Sequence, residues 1–556
     1  MPSTSTSFTC VVEQHVPYSY SILCLDFNDD IIYNEYYCGE DAVENFLHKL
    51  KILSSNLLDK MHRILPLVQC DKPSSTKCHI CGKKFSKTDK VVRDHNHFTS
   101  VFRGYAHNKC NLLYRKSFFI PVIIHNLRGY DSHLILKKLS NKYAKSISII
   151  PVNSQKFTTF QIDQIKFLDS YQFLSTSLAT LVENLVISNH SFSIFNKFYS
   201  NEKNRFLLKR KGIFPYSYFS TPTVLTETCL PKKEAFYNAL TNSHITADEY
   251  NFAQLIFRTF HCKTFGDYLK LYQQLDVVLL AEIFTSFRQK CMLYYNLDPC
   301  HFITAADLTW NAGLNFTKAE LELFTDVNMY LWIEDNIRGG ICYVGKRYSC
   351  CNNRFVPETF DSKLEETHII AVDANNLYGY TMTQSLPIGN FKFLSESEIK
   401  DFNDLELSAK DEVGYFLEVD LLYPSELHDL HDFPLAPDHT VITLDMFSPY
   451  QKKLVKNHGL KLSKQNRKLT PCFFTKYNYV VHYLNLKSYL EHGMVLQKIH
   501  NILSFKQESW LQPYVLFNND KRQSTKQPFE KDLFKLMNNA WFGKSLQNPR
   551  KRLQID

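Results

Sequence analysis

The 556 residues include only 16 Gly and 20 Pro, and no low-complexity tract beyond a Ser/Thr-rich start. Chains poor in both residues do not build long flexible linkers, so packed structure is expected nearly throughout. No apolar run approaches the ~18 residues of a membrane-crossing helix. The opening MPSTSTSFTCVVEQHVPYSYSI lacks a basic stretch followed by a long apolar one, so neither a secretory signal nor a membrane partner is expected. The 15 Cys are odd in number and mostly scattered singly. That pattern argues against a disulfide framework and for a reducing, intracellular location, with the compartment open. No internal repeat is visible.

What is there reads as ordinary globular protein: 44% hydrophobic, 22% charged and 14% aromatic, with 43 Phe and 32 Tyr. The length implies roughly three to five domains. A net charge of +8 is compatible with a polyanionic partner without identifying one.

The first chemistry lies in CHICGKKF, VVRDHNHF and FRGYAHNKCN. Cys78 and Cys81 form a zinc knuckle, and His107 with Cys110 repeats the spacing, so four ligands can close a tetrahedron around structural Zn2+. Between the pairs lie Asp94, His95, Asn96 and His97, and Asn111 follows the last ligand. From Cys78 to Asn111 this resembles the recombination endonuclease VII branch of the HNH nucleases. The resemblance implies a divalent ion held by Asp94 and Asn111, and water activated by His95. His107 stands where that family usually has Cys. The alternative is a zinc module that only stiffens the fold or grips DNA.

Two further segments carry carboxylates. In IPVIIHNLRGYDSHLILKKL a strand-like run, Val122 to Ile124, leads to Asn126, then Tyr130 and Asp131, after which Leu134, Ile135 and Lys138 fall on helical spacing. In DYLKLYQQLDVVLLAEIFTSFRQ, Tyr268, Leu271, Tyr272, Leu275, Leu279 and Ile283 make one apolar helical stripe. Tyr272 and Asp276 share a face beside it, so the carboxylate wants a cation or donor. Together, N-x-x-x-Y-D and Y-x-x-x-D resemble the second and third exonuclease motifs of family B DNA polymerases. That implies metal-binding roles for Asp131 and Asp276 and a water-orienting role for Tyr272. FLDSYQFLSTSLATLV resembles an element of the protein-primed subgroup in which Ser177 and Leu178 would contact single-stranded DNA.

Polymerase-like motifs follow in the family's order. IRGGICYVGKRY, with Gly339 and Gly340, allows close backbone approach and resembles a template-binding Gly-Gly element. AVDANNLYGYTMTQSLP resembles the first polymerase motif, D-x-x-S-L-Y-P, on the end of a buried strand, HIIAV. It implies Asp373 as ligand to catalytic Mg2+, Leu377 and Tyr378 lining the nucleotide site, and Tyr378 excluding a ribose 2′-hydroxyl. Asn376 for Ser and Gly379 for Pro are departures associated with virus-like self-synthesising transposons and linear plasmids. Asp420, in EVDLLYPSEL, is spaced differently and reads as structural. In FEKDLFKLMNNAWFGKSLQNPRKR, Pro528 starts a helix and Gly543 stops it. Lys535, Asn539 and Phe542 recur on one face: charge for a triphosphate, an amide, and a plate under a base. This resembles the fingers helix K-x-x-x-N-x-x-Y-G, with Phe542 for Tyr; Lys521, Arg522 and Lys526 could add phosphate contacts.

The resemblance implies a multidomain α/β chain of the protein-primed family B type. A ribonuclease H-like 3′-5′ exonuclease domain would be followed by a right-hand palm and fingers, both ends incomplete. The expected segments are 1–75 (exonuclease start), 76–115 (zinc module), 116–300 (exonuclease), 301–440 (linker and palm), 441–515 (palm insertion) and 516–556 (fingers). Implied partners are template/primer DNA, deoxynucleoside triphosphates and a terminal priming protein, with Mg2+ and Zn2+ as cofactors. Two-metal phosphoryl transfer needs at least two palm carboxylates. Neither the second of these nor the first exonuclease motif, Asp-x-Glu, is found, so this chain alone is expected neither to extend primers nor to proofread. The rival readings are a non-catalytic DNA-binding remnant of a mobile element, and a zinc-containing, structure-specific HNH nuclease.

Overall fold

The computed structural model of the chain describes residues 14–61, 76–95, 100–113, 119–139, 146–153, 156–239, 241–346, 348–402, 408–461 and 467–552. They divide into two compact units, Met1–Ala312 with Asp520–Asp556, and Gly313–Asn519. The division differs from the expected cut between exonuclease and fingers, because the last helix belongs to the same unit as residues 116–300.

In the first unit, β1 (Ser19–Leu25) and β2 (Ile31–Cys38) form an antiparallel pair, followed by the helix Ala42–Met61. A second pair, β3 (Val91–His95) and β4 (Phe102–His107), runs directly into the short helix Asn108–Leu113. The third sheet contains β5 (Ile120–Ile124), β6 (Ile147–Asn153), β7 (Lys156–Ile162) and β8 (Ile165–Asp169), in the order β5-β8-β7-β6. Only the β5–β8 pair is parallel. Its apolar face packs Phe160, Ile162, Ile165 and Phe167 against Val43, Leu47 and Leu50 of the Ala42–Met61 helix and against Leu127 and Ile135. The apolar stripe read from the sequence is the 31-residue helix Phe265–Tyr295. A reciprocal cap starts it, Asp267 N–H donating to Thr264 and Thr264 N–H to Asp267, and Asn296 in the left-handed region ends it. Buried Glu282 accepts from His190 at 2.7 Å and from the Phe195 backbone at 2.9 Å, tying the helix Ser193–Phe198 to the long one.

The second unit is organised by four antiparallel strands, β9 (Leu386–Phe393), β10 (Val413–Leu422), β13 (Lys476–His482) and β14 (Val495–Glu508), in the order β13-β10-β14-β9. Between β10 and β13 lies a hairpin of β11 (Asp438–Val441) and β12 (Arg467–Thr470), whose connection carries the helix Pro449–Asn457. Alternation along β10 sends Leu417, Val419 and Leu421 into a core with Tyr479, Val481 and Ile502, capped by Tyr483 and Leu486. Asp420, on the other face, accepts from the Asn478 backbone at 2.9 Å and lies 2.9 Å from His500 Nε2, in keeping with a structural role.

Three local expectations are corrected. HIIAV is not a buried strand: Ile369, Ile370 and Val372 are 62%, 79% and 89% exposed, and no described strand pairs with them. An apolar run becomes a strand only where neighbouring backbone completes its ladder. The polar stretch NNDKRQSTKQP, read as a loop, instead lies partly in the helix Gln512–Ser524, because Tyr514, Val515 and Asn518 are buried on one side of it. Gly543 does not stop the terminal helix, which runs Pro528–Ser545. The ion pair Lys544–Asp307 and the stacking of Trp541 on Trp310 hold its last turn and outweigh the ~1 kcal/mol cost of an interior glycine.

Candidate active sites and metal centre

At the end of β5 the chain turns through His125 and Asn126, the latter at φ 63°, into a single turn over Leu127–Gly129. Asp131 then opens the helix Asp131–Lys137. Parallel pairing sets Ile124 opposite Asp169, the last residue of β8, so a second carboxylate lies beside this turn. Asp169 is 1% exposed and accepts from the Arg128 backbone at 3.1 Å and from Tyr171 at 2.9 Å. Burial, opposed by a backbone hydrogen bond and aided by the Asp169 charge, pushes the Asp131 carboxyl up to about 6.

The third carboxylate comes from the long helix. Burial raises Asp276, opposed by the Lys211 ammonium 2.5 Å from its Oδ2, whereas Oδ1 is buried with no hydrogen-bond partner. Lys211 also donates to the Tyr272 hydroxyl at 2.8 Å, which lies 2.5 Å from that of Tyr216. A Cβ on Gly212 would sit 2.7 Å from the Tyr272 ring, so glycine beside Lys211 lets the ring approach. Burial lowers His125, while Asp169 and Asp276 both pull it up. Asp131, Asp169, Asp276, His125 and Lys211 are thus linked electrostatically in one region. Asp169, Lys211 and Gly212 were missed in the sequence; the signal for Asp169 was an acid ending an apolar run, FLD, and for the other two a Lys-Gly step before an aromatic cluster.

The nearby single-strand candidates have structural employment. Ser177 caps the helix Leu178–Ile187 by accepting from the Thr180 backbone at 3.2 Å, and Leu178 is buried in that helix.

The polymerase-motif residues fall in both units. Asp373 is exposed and precedes a left-handed Asn376, φ 53°, which opens the helix Leu377–Met382. A Cβ on Gly379 would lie 2.2 Å from the Asn376 amide, so the two departures from D-x-x-S-L-Y-P fit one another. Leu377 and Tyr378 are 57% and 53% exposed. Nothing lies within 4 Å of where a Cβ on Gly339 or Gly340 would stand, so neither serves a close approach within the chain. In the first unit, the terminal helix buries Phe529, Leu533, Phe534, Met537, Asn538 and Trp541 and leaves Lys535, Asn539 and Gly543 exposed, with Phe542 half-buried among them.

The Cys78, Cys81, His107 and Cys110 donor atoms all lie within 4.8 Å of one another, the only such Cys/His/acid cluster among the described residues. His107 Nδ1 is 3.5 Å from Cys81 Sγ and 3.8 Å from Cys110 Sγ. These spacings fit a tetrahedral ion with bonds of about 2.0–2.3 Å. Burial opposes ionisation of Cys78, but backbone donors from Cys81, His107 and Ile80 bring its thiol down to about 6. Desolvation, then Cys81 and Cys78, raise Cys110 to about 11, a mutual repulsion that a cation relieves. Asp94, 2% exposed, has both oxygens engaged, by Arg103 at 2.6 Å and His79 at 2.8 Å. His95 ends β3 and Asn111 lies on the following helix; Asn96 and His97 lie outside the described residues.

Buried carboxylates and a four-ligand Cys/His cluster thus sit in a multidomain, mixed α/β chain. The family described as DNA polymerase type B, organellar and viral, matches residues 115–555, and the chain belongs to it. Among solved structures it is similar to Phi29 DNA polymerase in a ternary complex with primer-template DNA and incoming nucleotide. That match has 14% identity and a TM-score of 0.41, covering 77% of this chain and 60% of that one. An orthorhombic crystal form of the same polymerase gives 13% identity, a TM-score of 0.41 and the same coverage. The chain therefore spans about 60% of the length of these structures. No curated protein matches it. No described helix is long and apolar enough to cross a membrane.

Proposed function

We propose that this chain is a template-directed DNA polymerase chain of the protein-primed type, with a 3′-5′ exonuclease region before the palm and a transposon-like or viral origin. The observation that carries this is the terminal helix, packed on one side and presenting Lys535, Asn539 and Phe542 on the other. A helix that needed only solubility would gain nothing from that set, whereas a nucleotide uses each member of it.

In the exonuclease region Asp131, Asp169 and Asp276 would hold Mg2+. The unpartnered Asp276 Oδ1 and the raised Asp131 both suit a cation. An ion held there would supply polarisation of a phosphodiester. The protein's own part is to orient water from the Tyr272 hydroxyl and to hold Asp276 with Lys211. Neither these three acids nor the exposed Asp373 forms a cluster of three ligating side chains among the described residues, so neither site is assembled for catalysis. The chain alone therefore binds primer-template DNA, nucleotide and, at initiation, a priming protein, without extending or trimming DNA. The test is a labelled primer-template in Mg2+ with purified chain. A mobility shift with no change in primer length is expected, and extension or trimming overturns the inactive reading.

The zinc module is best read as structural. With Arg103 and His79 on both oxygens of Asp94, the HNH reading has no free carboxylate to offer a metal. Equal handling of branched DNA by wild type and His95→Ala is the expected result.

A further inference from the structure

From Met446 to Leu490 the sequence has nine Lys and Arg and not one Asp or Glu. That stretch alone outweighs the chain's net charge of +8 and leaves the remainder slightly acidic. Its centre is the β11–β12 arm. Lys452, Lys453 and Lys456 on the helix Pro449–Asn457, Lys461 after it, and Arg467 and Lys468 on β12 are all exposed. Among the described residues none of the six forms an ion pair, although Lys138, Lys211, Lys290, Lys392 and Lys544 elsewhere all do. Arg467 is spent only on a backbone carbonyl, that of His439.

The helix is built against its own charge. Lys452 and Lys456 are four apart with no acid on any turn, which is repulsive. Pro449 in the first turn and a reciprocal cap between Ser448 and Gln451 offset that cost. An anionic surface relieves it.

We infer that this arm grips the phosphate backbone of duplex DNA, an inference resting on the polymerase reading above. The choice of duplex follows from two features. From Gln451 to Lys468 there is no Phe, Tyr or Trp, and the arm's helix exposes a single ring, Tyr450, in its first turn, so the six cations are not interleaved with the successive aromatic plates that stack unpaired bases. The linear charge density of duplex, about one phosphate per 1.7 Å of axis, is twice that of a single strand and matches a compact group of cations.

The test measures binding of the full chain to a duplex of about 20 base pairs and to a single strand of the same length across a salt series. Lys452→Ala/Lys453→Ala/Lys456→Ala is expected to lower the slope of log affinity against log salt by about 2 to 3 on duplex, and less on single strand. The matching Lys→Arg triple should restore it, and an unchanged circular dichroism melt excludes misfolding. Duplex binding by wild type with the same slope in the alanine triple overturns the arm while leaving the polymerase reading intact. A larger loss on single strand overturns the duplex assignment, and no DNA binding by wild type overturns both.

Discussion

Asp131 illustrates how one residue links fold to function. Its carboxyl is raised to about 6 from an ordinary 3.8, so between those values the folded chain keeps a proton that the unfolded chain has released. Stability should therefore fall as pH rises from about 4 to 6 and stay down above, by linkage. Asp131→Asn removes this contribution. In chelator-treated buffer, urea midpoints of wild type and variant should converge near pH 4 and separate, variant higher, above pH 6. Added Mg2+ should narrow the gap by favouring the charged wild-type carboxylate. A gap of constant size across the series would mean that Asp131 is not the group titrating. Lys211 and Gly212 act on the same site from outside any motif, which is why no pattern search reached them.

At the scale of elements, the sequence revealed what is periodic and local and missed what depends on neighbours. The long helix Phe265–Tyr295 was readable from the spacing of Tyr268, Tyr272, Leu275 and Leu279, and the knuckle from two repeated ligand pairs. The segment before Asp373 was misread because strand formation needs a partner that a one-dimensional pattern does not contain, and the terminal helix ran past Gly543 because Trp310 and Asp307 hold its end. That helix has two faces with opposite expected responses. Trp541→Ala should cost about 3–5 kcal/mol in denaturant unfolding, since it empties the stack on Trp310. Asn539→Ala, exposed, should leave stability within about 0.5 kcal/mol. Nucleotide affinity, read by fluorescence titration, should fall for Asn539→Ala even so; an unaffected affinity would reduce the open face to a solvated one.

For the whole molecule, two units with separate cores predict unfolding that is not two-state. Metal should act on one transition only. The chain is expected to bind one zinc, measured by plasma mass spectrometry, and its removal by chelation or by Cys110→Ser should lower the melting step of the first unit and leave the second unmoved. Zinc content equal in wild type and Cys110→Ser would remove that residue from the ligand set.

The first unit is discontinuous, and this bears on how the protein is made. Asn184, Lys290, Tyr294 and Trp310 emerge from the ribosome early, but Asp532, Glu530, Phe534 and Trp541, which they meet in the finished molecule, follow only after residues 313–519. At 5–20 residues per second that interval lasts roughly 10 to 40 s. During it the nascent chain displays an aromatic surface whose cover has not yet been translated, which makes that surface the natural address for a chaperone and the point at which a stalled ribosome would release an aggregation-prone product.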